Sequence, residues 1–230
     1  YHQASFVIEP VKNWITHIDF SYHTYANDQH WDLQQFYNHN ANGDPVPLTD
    51  KSEVHEGLYK NNYYNFSAYT EYTHLFNERH NFHVLAGFQA EELKEKQYGL
   101  TRDGIMFSYK SEIDMTTGLG PDGTEIPPSV YGSRNEWATA GFFGRVNYSY
   151  NDKYLFEGNV RADGTSRFRS HNRWRVFPSV SVGWNIAHEE FFEPLTNVVG
   201  MLKLRASAGS LGNQNTGNWY QTYQTMSVGA

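Results

Sequence analysis

The chain has 230 residues, a formal net charge of −7 and 17% aromatic residues, although its mean hydropathy is only −0.69. The acidic balance argues against a nucleic-acid-binding protein, because such proteins carry a basic surface for the phosphate backbone. The absence of cysteine excludes a disulfide scaffold and any cysteine-ligated metal site. No apolar run approaches the roughly 18 residues of a membrane-spanning helix.

Seven segments, taken in chain order, alternate apolar and polar residues with a period of two, which is the pattern of a half-buried β-strand. In the fourth segment, after Trp137, the even positions are mostly apolar and the odd positions mostly polar, and the fifth repeats this pattern after Asn151–Asp152. A two-residue connection of this kind predicts a β-hairpin. The predicted strands are 11–26, 58–76, 80–98, 136–150, 153–166, 174–187 and 200–210.

The lengths of these strands separate two all-β architectures. Several of them alternate for about 12–16 residues, whereas strands of soluble sandwiches usually have about 5–6 residues and rarely exceed 10. A tilted strand needs about 9–11 residues to cross a bilayer. The pattern therefore predicts an antiparallel transmembrane β-barrel segment of about seven long strands.

The lengths of the connections also favour a barrel. Connections 27–57 and 99–135 are long and polar, whereas 77–80 and 151–152 are short. Long and short connections alternate, which places the long loops at one end of the strands and the tight turns at the other. Outer-membrane barrels have this asymmetry, with short periplasmic turns and longer extracellular loops.

The two faces of the predicted strands differ in chemistry. Aromatic residues crowd the tight turns, as in the girdles that mark membrane interfaces, although ordinary cross-strand aromatic pairs are an alternative. Charged residues fall at odd positions, and the opposite register would place arginines in lipid at about 2–4 kcal/mol each near the midplane. We therefore predict that the odd positions face the barrel lumen. The candidate lumen-facing or ligand-adjacent residues are Arg145, Glu157, Arg161, Asp163, Lys203 and Arg205.

One stretch resembles a known family. Residues 161–168 resemble the R-x-D-G-S-S-R-F motif of the SusC/RagA-like TonB-dependent outer-membrane transporters, with Thr165 where serine is commoner. Further matching blocks follow in order as far as residue 214, with Ala208 where an aromatic is usual. The motif residues, for which a structural role is expected, are Asp163, Gly164, Arg167, Phe168, Phe177, Pro178, Gly183, Trp184, Gly212, Asn213 and Gln214.

The resemblance implies a 22-stranded barrel in the bacterial outer membrane that holds an internal plug, is driven by TonB and imports glycans or peptides. It also implies a SusD-like surface lipoprotein as a lid, in a setting of outer-membrane lipid and lipopolysaccharide. Residues 1–230 would be a partial barrel, because they contain no recognisable plug domain, TonB box or signal peptide. On this interpretation the chain is an internal fragment that transports nothing by itself.

Five arginines lie between residues 161 and 175, with aromatic residues among them. The net charge argues against a nucleic-acid site, and the position at an extracellular strand end favours contact with anionic lipopolysaccharide, a neighbouring loop or the lid protein. A simpler role is a salt bridge in which Arg167 ties a turn at Asp163–Gly164.

Neither enzyme chemistry nor a cofactor is predicted. Segment 118–123 satisfies G-x-G-x-x-G, but Pro121 interrupts it and no helix follows, so we interpret it as a turn-rich loop. Glu91–Glu92 and Glu189–Glu190 are adjacent carboxylates, which face opposite ways on a strand and cannot act as an acid–base pair. Two rival interpretations of the chain are a soluble β-sandwich carbohydrate-binding module and a small self-contained barrel that acts as an adhesin or a structural protein.

Overall fold

The computed structural model of the chain describes residues 1–49, 51–214, 217–220 and 222–223. The strands in these residues are β1 His2–Val11, β2 Trp14–Leu33, β3 Tyr37–His39, β4 Pro45–Pro47, β5 Glu53–Phe76, β6 His80–Asp103, β7 Ser129–Tyr150, β8 Tyr154–Thr165, β9 Trp174–Asn185 and β10 Lys203–Gly209. Short 3-10 helices span Ile113–Met115, Ser170–Asn172, Ile186–His188 and Glu190–Leu195. Eight strands form one sheet in the order β1-β2-β5-β6-β7-β8-β9-β10, and β3 pairs with β4 in a separate hairpin.

The all-β prediction is confirmed, but the strand count was too low. Strand β1 was missed, because the prediction began at residue 11 and overlooked the turn at Lys12–Asn13, where Asn13 adopts a φ of 68°. Strands β5 and β6 are also longer than predicted, with 24 residues each. These lengths far exceed those of strands in a soluble sandwich.

Tight turns join β1 to β2, β5 to β6 and β7 to β8. Two of them contain consecutive residues with positive φ, Asn77–Glu78 and Asn151–Asp152, which is the geometry of hairpin turns that follow the twist of the strands. The predicted alternation of connection lengths fails at the last strands. Connection 186–202 begins at the end of the sheet that holds the 151–153 turn, where a short connection is expected. It is nevertheless longer than connection 166–173, which lies at the opposite end of β8 and β9.

The chain groups into two compact units, one of residues 1–23, 63–93 and 136–230 and the other of residues 24–62 and 94–135. In the second unit His55 is buried between two parallel rings, with centroid distances of 4.9 Å to Trp31 and 5.9 Å to Tyr131. The first unit contains β8, β9 and β10 and the charged residues predicted at odd positions.

Strand register keeps the two faces of the first unit distinct. Phe142 of β7 lies opposite Ala162 of β8, which in turn lies opposite Val176 of β9. Even positions therefore share one side of the sheet, the even-numbered face, and odd positions share the other, the odd-numbered face.

Aromatic rings form two rows across the even-numbered face. One row comprises the ring contacts Phe66–Phe88, Phe88–Phe142 and Phe142–Trp174, with centroids 4.9–6.3 Å apart. The other lies beside the tight turns and comprises Phe76–His80, Phe82–Tyr148, His80–Tyr150 and Tyr150–Tyr154. The rows are eight positions apart from Phe142 to Tyr150 and ten from Phe66 to Phe76. At about 3.3 Å per residue and a strand tilt of about 40°, this spacing corresponds to about 20–25 Å across the sheet.

The apolar side chains between the rows are exposed. Val160 and Val180 are 48% and 44% exposed, and among the described residues Val54 and Phe192 are the apolar side chains that are buried. A β-sandwich buries the inner faces of two packed sheets, so the soluble-sandwich alternative does not fit. None of the helices in the described ranges has the length and apolar character needed to span a membrane.

Candidate functional site on the odd-numbered face

Charged residues from several strands of the first unit meet in a cleft of about 1310 Å³ on the odd-numbered face. All but one of the predicted lumen-facing residues line it, and the exception, Lys203, lines a neighbouring pocket together with Glu157 and Arg205. The antiparallel register brings them together, because residues with the same parity on paired strands share a face. The cleft residues from the prediction are Arg145, Glu157, Arg161, Asp163 and Arg205.

The tightest ion pair of the cleft lies within β8. The Arg161 Nε donates to both carboxylate oxygens of Asp163, at 2.7 and 2.9 Å. The suggestion that Arg167 ties Asp163 in a turn is therefore wrong, because Asp163 and Gly164 lie in β8, which continues to Thr165. Two residues of the same strand two positions apart share a face, and this places the Arg161 guanidinium beside its acceptor.

A second polar chain crosses β7, β8, β9 and β10. Arg145 Nε donates to Asn159 Oδ1 at 2.7 Å, and Asn159 Nδ2 donates to Glu157 Oε1 at 2.9 Å. Arg205 lies 3.9 Å from the Glu157 carboxylate and donates to the Ser181 hydroxyl at 3.2 Å. These pairs are partly exposed, so each adds little to stability. Their main effect is to orient a row of charges along the odd-numbered face.

The sequence interpretation missed a second cluster in the cleft. Glu71 of β5 lies 3.0 Å from His83 Nε2 and 3.7 Å from His17 Nε2. Asn147 Nδ2 lies 3.2 Å from His83 Nδ1, so both ring nitrogens of His83 have a polar partner in the cleft. Across the described part of the chain, no three His, Asp or Glu residues are placed to hold a metal ion.

Two glycines of the family motif allow aromatic rings to approach the backbone. A Cβ at Gly164 would lie 2.7 Å from the Trp174 indole, and a Cβ at Gly212 would lie 2.2 Å from the Phe177 ring. Distances this short require the ring to move. Both motif glycines therefore serve close packing between neighbouring segments.

Other motif residues lie around these contacts. The Pro178 carbonyl accepts from the Ser210 amide at 3.0 Å, and Gly183 pairs with Leu155 on one side and Arg205 on the other. The motif residues Phe168, Asn213 and Gln214 line a second cavity, near the start of β9.

Motif residue Trp184 is held by Glu189, which follows β9. The Glu189 carboxylate accepts from Trp184 Nε1 at 3.0 Å and from the Tyr154 hydroxyl at 2.8 Å, and it pairs with Lys153 at 3.2 Å. The hydrogen bonds from Trp184 and Tyr154 hold the pKa of Glu189 below its ordinary value. Glu189 and Glu190 lie at the start of a 3-10 helix, so the expectation that they alternate along a strand is wrong.

The lowered pKa of Glu189 predicts that acid loosens connection 186–202. A carboxyl whose pKa is depressed in the folded state stabilises that state above its unfolded pKa, and this stabilisation is lost as the pH falls through the folded value. We expect pepsin cleavage of this connection to rise, relative to other sites, as the pH falls below about 4.3. In Glu189→Gln the connection should be cleaved at every pH tested. Glu190→Gln removes the same charge one residue away and should keep the wild-type pH profile; if it behaves like Glu189→Gln, the effect is not specific to Glu189.

Long strands, tight turns, one apolar face bordered by aromatic rows and one charged face define the wall of a β-barrel. The chain belongs to the TonB-dependent receptor-like β-barrel family, whose model matches residues 6–230. This membership confirms the predicted fold class, and it is a family of transporters.

Similar proteins agree with the SusC/RagA-like resemblance. The chain is 44% identical over 90 residues to the TonB-dependent receptor SusC of Bacteroides thetaiotaomicron, covering 39% of this chain and 9% of that protein. It is 30% identical over 167 residues to the TonB-dependent receptor P39 of Formosa agariphila, and this match covers 69% of this chain and 15% of that protein. The chain thus spans a small part of the length of the curated relatives it matches.

Solved structures show the same fold. The RagAB peptide importer in its open-open state matches with a TM-score of 0.80 and 23% identity, over 97% of this chain and 23% of that chain. A structure of the RagAB peptide transporter matches with a TM-score of 0.77 and 21% identity, over the same shares.

Proposed function

We propose that the chain forms part of the barrel of a TonB-dependent outer-membrane transporter that imports bulky nutrients, either glycans or peptides. One observation carries this proposal. The two aromatic rows of the even-numbered face are about 20–25 Å apart, which agrees with the apolar band about 25 Å tall that such barrels present to lipid. The exposed valines between the rows would then contact lipid and lipopolysaccharide.

The odd-numbered face would then line the lumen. There the charges of Arg145, Glu157, Arg161, Asp163 and Arg205 would contact an internal plug, the passing solute or both. This face carries both positive arginines and negative carboxylates, joined by hydrogen bonds. Such a face suits a water-filled interior, because the interiors of these barrels are polar.

The proposed partners follow from the same assignment. The similarity to SusC and to the RagAB importer supports a SusD-like surface lipoprotein as a lid and energy coupling through TonB. RagAB is a peptide transporter, which supports peptides as one of the two cargo classes. We propose transport without chemical change of the cargo.

The proposal is tested with the full-length gene that carries this segment. Deletion of the gene should abolish uptake of one labelled cargo class, offered as peptide and glycan mixtures, and deletion of tonB should have the same effect. The protein should fractionate with outer membranes and require detergent for extraction. Recovery of the full-length protein in the soluble fraction, or uptake unaffected by either deletion, would overturn the proposal.

A further inference from the structure

A second cavity lies on the odd-numbered face, where connection 166–173 meets the start of β9. Its volume is about 650 Å³, which is within the range of small-ligand sites. Its lining combines charged and aromatic side chains, including Arg161, Arg173, Arg175, Phe168 and Phe177. The cavity is thus large enough for a few residues of a bound chain and carries basic groups to recognise it.

The basic groups of the cavity differ in their partners. Arg161 is compensated by Asp163. Among the described residues, no carboxylate lies within ion-pairing distance of Arg173 or Arg175. Arg173 donates to the Phe168 carbonyl and the Tyr223 hydroxyl, both at 3.4 Å, and Arg175 donates to the Asn172 amide oxygen at 3.0 Å.

These partners leave binding capacity on both guanidiniums. Each guanidinium carries five N–H donors, and charge-assisted bonds to a carboxylate are about twice as strong as bonds to neutral oxygens. Besides Asp163, the cavity wall holds one more carboxylate among the described residues, that of Glu91. Its Oε1 accepts a hydrogen bond from the Gln89 amide nitrogen at 3.0 Å. A carboxylate brought in from outside is therefore the acceptor that Arg173 and Arg175 lack.

Neighbouring arginines show what kind of chain this region accommodates. Arg167 donates to the main-chain carbonyl of Gln214 at 3.1 Å, and Arg169 donates to that of Thr222 at 2.8 Å. The Arg167 Nε is buried without a hydrogen-bond partner among the described residues. Arginines along this connection thus bind polypeptide carbonyls, which favours a peptide over an acidic glycan as the occupant of the cavity.

We propose that this cavity binds acidic peptides, with Arg173 and Arg175 holding a carboxylate of the peptide. The inference rests on the proposed transport function, for which it names a substrate class. Neither arginine is part of the motif at 161–168. The aromatic rings of Phe168 and Phe177 provide apolar walls for the rest of the peptide.

Binding to the purified full-length transporter in detergent tests the site. The probes are a fluorescently labelled blocked pentapeptide with two glutamates and its glutamine counterpart. We expect the glutamate peptide to bind about 10-fold more tightly at low salt, and the preference to shrink as salt is added. The double variant Arg173→Gln/Arg175→Gln should lose the preference while it binds the glutamine peptide unchanged, which also shows that it is folded. Arg79→Gln, in the turn between β5 and β6, should retain the preference.

The outcomes separate this site from the transport function itself. If cells import peptides with no preference for acidic ones, or if the double variant keeps the preference, the site is refuted and transport stands. If an oligouronate binds more tightly than the glutamate peptide and depends on the same arginines, the cavity is an acidic-glycan site instead. If deletion of the gene changes the uptake of no peptide and no glycan, the proposed function fails and this inference fails with it.

Discussion

Replacing Ala208 by arginine should sharply reduce the amount of full-length protein assembled in the outer membrane. Ala208 lies on the even-numbered face of β10 opposite Val180, which lies opposite Gly158 of β8. Gly158 is four positions from Tyr154 in the turn-side aromatic row, which is about 10 Å into a band about 25 Å tall. An arginine near the midplane on the lipid face costs about 2–4 kcal/mol. Membrane fractionation and heat-modifiable migration on gels measure the result.

The adjacent residue provides the matched control. Ser207 lies on the odd-numbered face of β10, opposite Ser181. Ser207→Arg introduces the same side chain one position away, into the proposed aqueous lumen, and we expect assembly close to that of the wild type. Equal loss in both variants would show that β10 tolerates no large residue on either side. Equal tolerance would contradict the assignment of the even-numbered face to lipid.

The sequence predicted the strands of the sheet wherever the two faces meet different surroundings. Val146 and Val160 alternate with polar neighbours because one face is apolar and the other charged. This alternation identified β8 within one residue at each end and also the end of β7, whereas β7 begins seven residues before its predicted start at 136. The signal disappears where both faces are polar. In Lys94–Asp103 of β6 charged residues occur at odd and even positions, so the strand was predicted to end at 98 instead of 103.

Strand β1 was missed because its central residues are apolar on both faces, whereas the end of β6 is polar on both faces. The central residues of β1, Phe6, Val7 and Ile8, are apolar at consecutive positions and are all exposed, so no alternation marks the strand. The turn that follows it contains one left-handed residue, Asn13, whose neighbours carry no glycine or proline. Neither periodicity nor turn composition could therefore separate β1 from β2.

In the candidate site, parity predicted which side chains share a face but not which of them touch. Both Arg161 and Arg167 share the parity of Asp163, and only the end of β8 at Thr165 shows that Arg167 leaves the strand. Similarly, Glu71 and His83 lie twelve positions apart on neighbouring strands. Their contact depends on the register of that pair, which a single sequence does not reveal.

Gly164→Ala should destabilise the sheet by about 1–3 kcal/mol, although it adds only one methyl group. The new Cβ would lie 2.7–2.9 Å from three atoms of the Trp174 indole, and overpacking of this kind costs about 1–3 kcal/mol. The indole is rigid, and it also stacks against Phe142 at a centroid distance of 6.1 Å, so it cannot move without disturbing that contact. Urea unfolding of the refolded full-length protein in lipid vesicles measures the change in free energy.

A second glycine of β8 and the ring itself provide the controls. At Gly158 a Cβ would meet the Phe156 ring at 3.5–3.6 Å, which is ordinary van der Waals contact, so Gly158→Ala should change stability little. Trp174→Ala should cancel the cost of Gly164→Ala in a double-mutant cycle, because the obstacle is then gone. Equal costs at Gly158 and Gly164, or a cost that persists without the indole, would show that Trp174 is not what requires glycine at position 164.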